Sequence, residues 1–224
     1  MKTRLFIMMF LEFFIWGAWL PLIFGYLPAL KFSADLPPAL LAGIFGLPGL
    51  SSIQHLFSEQ ALILNAFPVA SIIGMFFSNQ FADRNFAAER FLAFSHLVGG
   101  LSILGLYWVS SFWPFFLLMT VHCLLYVPTI SITNSVAFAN MRDPQKEFGI
   151  VRLGGTIGWI LAAWPFTFIF VNWDAVNAAH PAGFVDWIGA ALANPLSGDA
   201  AKVATKWTFI VAGIASLVLA AFSL

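Results

Sequence analysis

Long runs of apolar residues, separated by short polar stretches, dominate this chain of 224 residues. A transmembrane helix needs about 20 apolar residues to cross the hydrocarbon core of a bilayer. The pattern therefore predicts six membrane-spanning helices, at about residues 5–30, 61–82, 91–110, 114–141, 150–173 and 207–224. The third and fourth helices come from one uncharged run, 91–141, which Ser110, Ser111 and Pro114 divide. These runs indicate an all-α membrane protein.

Two longer segments connect the predicted helices on one side. The first, 31–60, contains an apolar stretch that prolines and glycines interrupt, and we expect an outer insertion that lies at the membrane interface or re-enters the membrane. The second, 174–206, is rich in Ala, Asn, Asp and Gly and is predicted to be an outer loop with short helices. Because the sixth predicted helix stops at Leu224, we expect the N-terminal part of a longer protein whose C-terminal half is absent.

Lysine and arginine residues are unevenly distributed between the two ends of the predicted helices. With a cytoplasmic N-terminus, seven of them lie inside and three outside. The inner group is Lys2, Arg4, Arg84, Arg90, Arg142, Lys146 and Arg152, and the outer group is Lys31, Lys202 and Lys206. The excess of inner positive charge predicts that the N-terminus lies in the cytoplasm.

The composition limits the remaining possibilities. Charged residues make up 9% of the chain and hydrophobic residues 61%, whereas soluble domains carry about 25% charged residues. The net charge is zero, so nothing indicates nucleic-acid binding. The single cysteine, Cys123, excludes a disulfide framework. No pattern indicates a cofactor or a metal.

One arginine stands at the start of an otherwise uncharged span. Arg152 precedes the run 153–173, and a cation costs roughly 2.5–3.5 kcal/mol at the centre of a bilayer, so such a residue usually faces a water-filled cavity or a partner. Thr156 and Trp159 follow at helical spacing and share its face. That face is a candidate site for a polar ligand. In the alternative, Arg152 belongs to the inner charge cluster, and Thr156 and Trp159 only pack.

Ionisable residues inside the predicted helices are candidates for proton coupling. Glu12 is the only carboxylate within a span, and intramembrane carboxylates often serve in proton relays. His96 and His122 are further candidates because histidine titrates near neutral pH. A structural role is the alternative for all three. Asn134 is a candidate to line a central cavity.

The loop after the second predicted helix resembles the signature of the major facilitator superfamily, G-x-x-x-D-R-x-G-R-R/K. Asp83 and Arg84 match this signature, whereas Asn79, Phe86 and the pair 87–88 depart from it. An acidic residue at a helix end can cap backbone amides and pair with basic residues. Asp83 and Arg84 are therefore candidates for a conformational latch, and a solvated charge cluster is the alternative.

Three further segments are similar to the nucleoside:proton symporter family within that superfamily. They are Phe14-Ile15-Trp16-Gly17-Ala18-Trp19-Leu20, then Tyr126-Val127-Pro128-Thr129 with Asn134, and Arg152-x-x-Gly155-Thr156-Ile157-Gly158. Together with the loop signature they cover most of residues 5–170. The enlarged segment 31–60, the degraded signature and the missing second half depart from the family pattern.

The resemblance implies the six-helix N-terminal half of a major facilitator fold. It further implies import of nucleosides by proton symport through alternating access, with Arg152 and Thr156 contacting the nucleoside and Trp159 packing on it. A sugar:proton symporter of the same superfamily is the alternative. Weaker rivals are a self-standing half that pairs with itself or a partner and a six-span membrane enzyme, for which the chain lacks a G-x-S-x-G-like nucleophile motif.

The charge distribution predicts loops 83–90 and 142–147 inside and segments 31–60 and 174–206 outside. Ser52→Cys or Ser197→Cys in the full-length protein is therefore expected to react with an impermeant thiol reagent added from outside. Gln145→Cys is the matched control, and it should react only after permeabilisation. The reverse pattern of labelling would overturn the orientation.

Overall fold

The computed structural model describes residues 2–45, 47, 49–85 and 87–224, and for residues 45 and 75–85 it describes the backbone alone. This part of the chain forms six long helices: α1 (Lys2–Ala29), α3 (Glu59–Asn85), α4 (Ala88–Gly105), α5 (Phe112–Asn140), α6 (Pro144–Ile169) and α9 (Gly198–Phe222). The shorter helices are α2 (Ala39–Phe45), α7 (Trp173–Ala178) and α8 (Phe184–Ala193), with 3₁₀ turns at Ser51–Phe57 and Leu106–Trp108.

The long helices extend further than the apolar runs alone suggest. α9 begins at Gly198 rather than near residue 207, and this start adds Lys202 and Lys206 to the helix. α6 begins at Pro144 rather than near residue 150. Its start is explained locally, because the Asp143 side chain accepts a hydrogen bond from Lys146 N at 3.4 Å and proline suits the first helical position. Polar first turns thus extend apolar helices beyond the hydrophobic stretch.

Length and composition show which of the described helices could cross a membrane. Among the described residues, α1, Ala88–Trp108, α5 and α9 are long and apolar enough to cross. Ser51–Phe57 and Glu59–Gly74, bent by 61°, would make a fifth span if they are counted together. α6 is outside this set, since Arg152 and its glycines lower its hydropathy. The count of six therefore stays a prediction.

α1 lies at the centre of the helix bundle. It packs along α6 on one side and along α9 on the other. α4 packs against both α9 and α5, and α3 packs on α5. The helix order across the bundle is thus α6, α1, α9, α4, α5 and α3, and α5 also contacts α1. The large buried side chains come from this central region and include Ile15, Tyr26, Phe115, Tyr126 and Phe209.

α1 and α6 run parallel with their backbones in direct contact. A Cβ atom built on Gly154 would lie 2.5 Å from the carbonyl oxygen of Phe6, and one on Gly158 would overlap the carbonyl oxygen of Phe10. Further along α1, a Cβ on Gly17 would lie 2.9 Å from the carbonyl oxygen of Trp159. Small residues permit such close approach between membrane helices. These glycines fix the relative position of α1 and α6.

Several charged residues meet at one end of the bundle. Lys2 Nζ at the start of α1 lies 3.0 Å from Glu147 Oε1 in the first turn of α6. Arg4, Glu89, Asn140 and Ser223 line one cavity, so the starts of α1 and α4 meet the ends of α5 and α9 there. The helices therefore alternate in direction, and the residues that the sequence places inside lie at one end.

The connection between α6 and α9 folds back on itself at the other end. Asn172 N donates to Asn194 O at 2.8 Å, and Leu196 N donates to Phe170 O at 2.6 Å. These bonds close the base of the segment that holds α7 and α8. Its two ends are thereby held together where α6 stops and α9 starts.

Gly158→Ala is expected to destabilise the bundle, because the new methyl group would strike the Phe10 carbonyl group rather than a flexible side chain. Overpacking of this kind costs about 1–3 kcal/mol. The measurement is the thermal unfolding midpoint of the purified full-length protein in detergent. Gly149→Ala on the same helix is the control, since nothing lies within 4 Å of its Cβ position, and it should leave the midpoint equal or higher. Equal midpoints for the two variants would contradict the close contact.

Candidate functional site

Two of the three α6 residues predicted from the sequence, Arg152 and Trp159, contact α1. The Arg152 guanidinium carbon lies 4.0 Å from the centroid of the Phe13 ring. The Trp159 ring meets Trp16 edge to face, with 5.1 Å between ring centroids. Thr156 lies one turn after Arg152 and is exposed, without a hydrogen bond in the part of the chain that the structure describes. Arg152 and Trp159 therefore pack against aromatic rings of α1, and the role of the three residues in binding a ligand stays a prediction.

Aromatic rings from three helices continue this face. Trp16 stacks on Phe67 of α3 at 5.1 Å between centroids and 8° between planes. The indole N–H of Trp16 is buried and has no acceptor among the described residues. We call Phe13, Trp16, Phe67 and Trp159 the aromatic wall. It offers flat apolar surfaces, with one cation at its edge.

Asn134 is not brought together with the α6 residues. It lies on α5 and is half-buried, and its Nδ2 donates to the backbone oxygen of Ile130 at 3.0 Å. Its Oδ1 is buried and has no partner in the described part of the chain. The side chain is thus held along its own helix, and its role in lining a cavity stays a prediction.

Glu12 and His96 form a second polar centre on the opposite side of α1. Glu12 Oε2 lies 2.9 Å from His96 Nε2. The two residues are 0% and 1% exposed. They are 84 positions apart in the sequence, and they meet because α1 and α4 both pack against α9 and α5. Two of the three sequence candidates for proton coupling therefore form one pair.

Hydroxyl groups from two further helices complete this centre. Thr129 Oγ1 of α5 lies 2.8 Å from Glu12 Oε1 and 2.5 Å from the backbone oxygen of Tyr126, so two acceptors share its single proton. Ser216 Oγ of α9 lies 3.0 Å from His96 Nδ1. Tyr126 OH donates to the backbone oxygen of Glu12 at 2.6 Å. We call Glu12, His96, Thr129 and Ser216 the carboxylate–imidazole cluster, and it joins α1, α4, α5 and α9.

His122 lies next to this cluster but does not contact the Glu12 carboxylate. Its Nδ1 lies 3.0 Å from the backbone oxygen of Gly99. Its ring stacks on Tyr126 at 5.3 Å between centroids. Its Nε2 is buried without a partner among the described residues. His122 therefore reaches Glu12 only through Tyr126.

The sequence reasoning missed several residues of both centres. Thr129 belongs to the Tyr126–Thr129 segment that carried the family resemblance, so a signal for it was present. Phe13 directly follows Glu12 and precedes Trp16 by almost one helical turn, which is a weaker signal. Ser216 lies in an apolar helix and nothing near it in the sequence marks it. Gly100 and Gly213 explain its position, since both lie at the tight contact between α4 and α9.

Asp83 and Arg84, the candidate latch, lie outside the residues whose side chains the structure describes. Their backbone belongs to the last part of α3. Among the described residues, no group of three or more His, Cys, Asp or Glu side chains could hold a metal ion.

A family model described as nucleoside H+ symporter matches residues 1–41 and 49–192 of this chain. The chain belongs to the nucleoside H+ symporter family. This match confirms the resemblance that the sequence motifs carried. With several apolar helices in the structure, the chain is part of a multi-pass membrane protein.

Relatives in Escherichia coli (strain K12) agree with the family. YegT is 36% identical over 162 residues, which are 71% of this chain and 33% of YegT. The xanthosine permease is 25% identical over 178 residues, which are 78% of this chain and 37% of that protein. The chain thus spans about a third of the length of these relatives. The xanthosine permease is named as a transport protein, and this speaks against the membrane enzyme weighed from the sequence.

The fold is similar to that of a solved transporter. A crystal structure of a mutant of the nucleoside transporter NupG superposes with a TM-score of 0.69 at 19% identity, covering 99% of this chain and 43% of that one. The unmutated NupG structure gives a TM-score of 0.65 over the same shares. The predicted fold class, an all-α bundle that forms part of a major facilitator fold, is confirmed.

Proposed function

We propose that this chain forms the N-terminal half of a proton-coupled nucleoside importer that works by alternating access. Membership of the nucleoside H+ symporter family supports this proposal. A second six-helix half would supply the remainder of a site between the halves, as in other transporters built from repeats. The protein would lie in the inner membrane with its N-terminus in the cytoplasm, in agreement with the cations that gather at one end.

The observation that carries the proposal is the placement of Arg152 at the edge of the aromatic wall. A nucleoside combines a flat aromatic base with a ribose that bears hydroxyl groups. Trp16, Phe67 and Trp159 offer aromatic surface for a base, and the guanidinium group over Phe13 supplies N–H donors for ribose or base oxygens. Thr156 adds an exposed hydroxyl group between Arg152 and Trp159 along the helix.

The remaining sequence candidates take subsidiary roles in this proposal. Asn134 would line the cavity through its buried, unpaired Oδ1. Asp83 and Arg84 would hold one conformation at the cytoplasmic end. Proton coupling would involve Glu12 and His96, with His122 behind Tyr126.

Arg152→Ala in the full-length protein is expected to weaken nucleoside binding by roughly ten- to a hundredfold, because a hydrogen bond from a charged group contributes about 1.5–3 kcal/mol. Arg152→Lys should restore only part of the affinity, since the planar donor fork is lost. The measurement is equilibrium binding of a radiolabelled nucleoside. Arg142→Ala is the control, because Arg142 is an exposed cation between α5 and α6. Equal losses for Arg142→Ala and Arg152→Ala would contradict the assignment.

Trp159→Ala is expected to weaken the binding of purine and pyrimidine nucleosides alike. The expected loss is about 1–3 kcal/mol, which is typical of a base stacked on an aromatic ring. The binding of free ribose should be almost unaffected, since the indole ring stacks on the base and free ribose has none. Competition binding measures both. Trp164→Ala on the same helix is the control, because Trp164 is highly exposed on the bundle surface. If a sugar binds the unmutated protein better than any nucleoside does, the sugar symporter replaces this proposal.

A further inference from the structure

The carboxylate–imidazole cluster is closed off from water by four helices. Glu12 comes from α1, His96 from α4, Thr129 from α5 and Ser216 from α9, and none of the four side chains is more than 1% exposed. A buried polar group must find its hydrogen-bond partners within the protein. Every short contact in the cluster therefore needs a proton on one of its two atoms, so the positions of the protons can be worked out.

The Ser216 hydroxyl group fixes the first proton. Ser216 Oγ donates to the backbone oxygen of His96 at 3.0 Å. A hydroxyl group has one proton, so the same oxygen acts as an acceptor toward His96 Nδ1, which lies 3.0 Å away. Nδ1 therefore carries a proton.

The contact between His96 Nε2 and Glu12 Oε2 then requires a second proton. With Nδ1 protonated, a neutral ring presents a lone pair at Nε2, and a carboxylate oxygen also presents only lone pairs. The separation of 2.9 Å is a hydrogen-bond distance, so one proton lies between the two atoms. Either an imidazolium faces a carboxylate, or a neutral imidazole faces a carboxylic acid. Both forms have zero net charge.

No other described group supplies a counter-charge to the pair. From α5, the Tyr126 ring lies beside His96, its hydroxyl group donates to the Glu12 backbone oxygen, and His122 stacks behind it. From α9 only the hydroxyl group of Ser216 faces it. From α6, Arg152 lies over Phe13, and the ion pairs found among the described residues do not join it to Glu12. Loss of the shared proton would leave an uncompensated buried carboxylate, which is strongly destabilising.

We propose that Glu12 and His96 form a proton-binding site that holds one proton in the conformation described here. The site releases its proton only when α1 and α4 move apart and water reaches the pair. This inference rests on the proposed transport function, since it names the residues that bind the coupled proton. The link to substrate is α1 itself, because Phe13, the residue after Glu12, contacts Arg152 on the other side of the helix.

Magnetic resonance tests the proton directly and requires no substrate. The full-length protein is reconstituted in lipid vesicles with ¹⁵N-labelled histidine and ¹³C-labelled glutamate carboxyl groups. His96→Gln and Glu12→Gln identify the signals of the pair. The expected result is a protonated Nδ1 with one further proton, either on Nε2 or on the Glu12 carboxyl group, at neutral pH. An unprotonated Nε2 together with an ionised Glu12 would overturn the proposal.

Glu12→Gln tests the role of the site in coupling. The glutamine amide group can donate to His96 Nε2, and its oxygen can accept from Thr129, so the hydrogen bonds survive while the exchangeable proton is lost. Uphill accumulation of labelled nucleoside driven by a pH gradient is expected to disappear, whereas exchange of nucleoside across the membrane persists. Glu89→Gln is the matched control, since Glu89 is exposed in the first turn of α4, and it should retain accumulation.

The two proposals fail in different ways. Unchanged accumulation in Glu12→Gln would overturn the proton site and leave nucleoside transport standing. Failure of the unmutated protein to bind or move any nucleoside would overturn the proposed function. The magnetic resonance result would then still decide whether the pair holds a proton.

Discussion

The direct backbone contact between α1 and α6 determines the position of both polar centres. Gly154 and Gly158 let α6 approach the Phe6 and Phe10 carbonyl groups without intervening side chains. At this distance Arg152 reaches the Phe13 ring and Trp159 reaches Trp16. The same contact occupies one side of α1, so Glu12 is directed toward α4, α5 and α9. A larger residue at either glycine would separate the aromatic wall from the arginine.

A carboxylate buried between membrane helices has few groups with which it can form hydrogen bonds or ion pairs. Backbone groups within a helix already bond to each other, and apolar side chains cannot compensate a charge. The carboxylate–imidazole cluster answers this constraint with one ionisable partner, His96, and one hydroxyl donor, Thr129. The arrangement is neutral as a unit, which lets it lie at the centre of four helices. It is also a place where polar contacts, and not apolar packing alone, join the helices.

Much of the helical framework was predictable from the sequence, because apolar runs are a local signal. The start of α9 was not, since Lys202 and Lys206 interrupt the pattern although the helix continues through them. Arg152, Thr156 and Trp159 could be grouped because they lie on one helix at helical spacing. The partners of Thr129 and Ser216 could not be assigned, because their contacts with Glu12 and His96 join residues 117 and 120 positions apart. Contacts between distant helices leave no mark in a single sequence.

The two centres differ in how they can respond to movement. The contact between α1 and α6 is a tight backbone-to-backbone fit that does not slide without steric overlap. The junction of α1 with α4 at Glu12 and His96 is instead a single 2.9 Å contact whose strength depends on one proton. If α1 and α6 move as one body, the aromatic wall and Arg152 keep their geometry while the pair opens to water. The proton would then be released while the substrate-binding surface moves without changing its geometry. Symport requires such a link between proton release and movement of the substrate site.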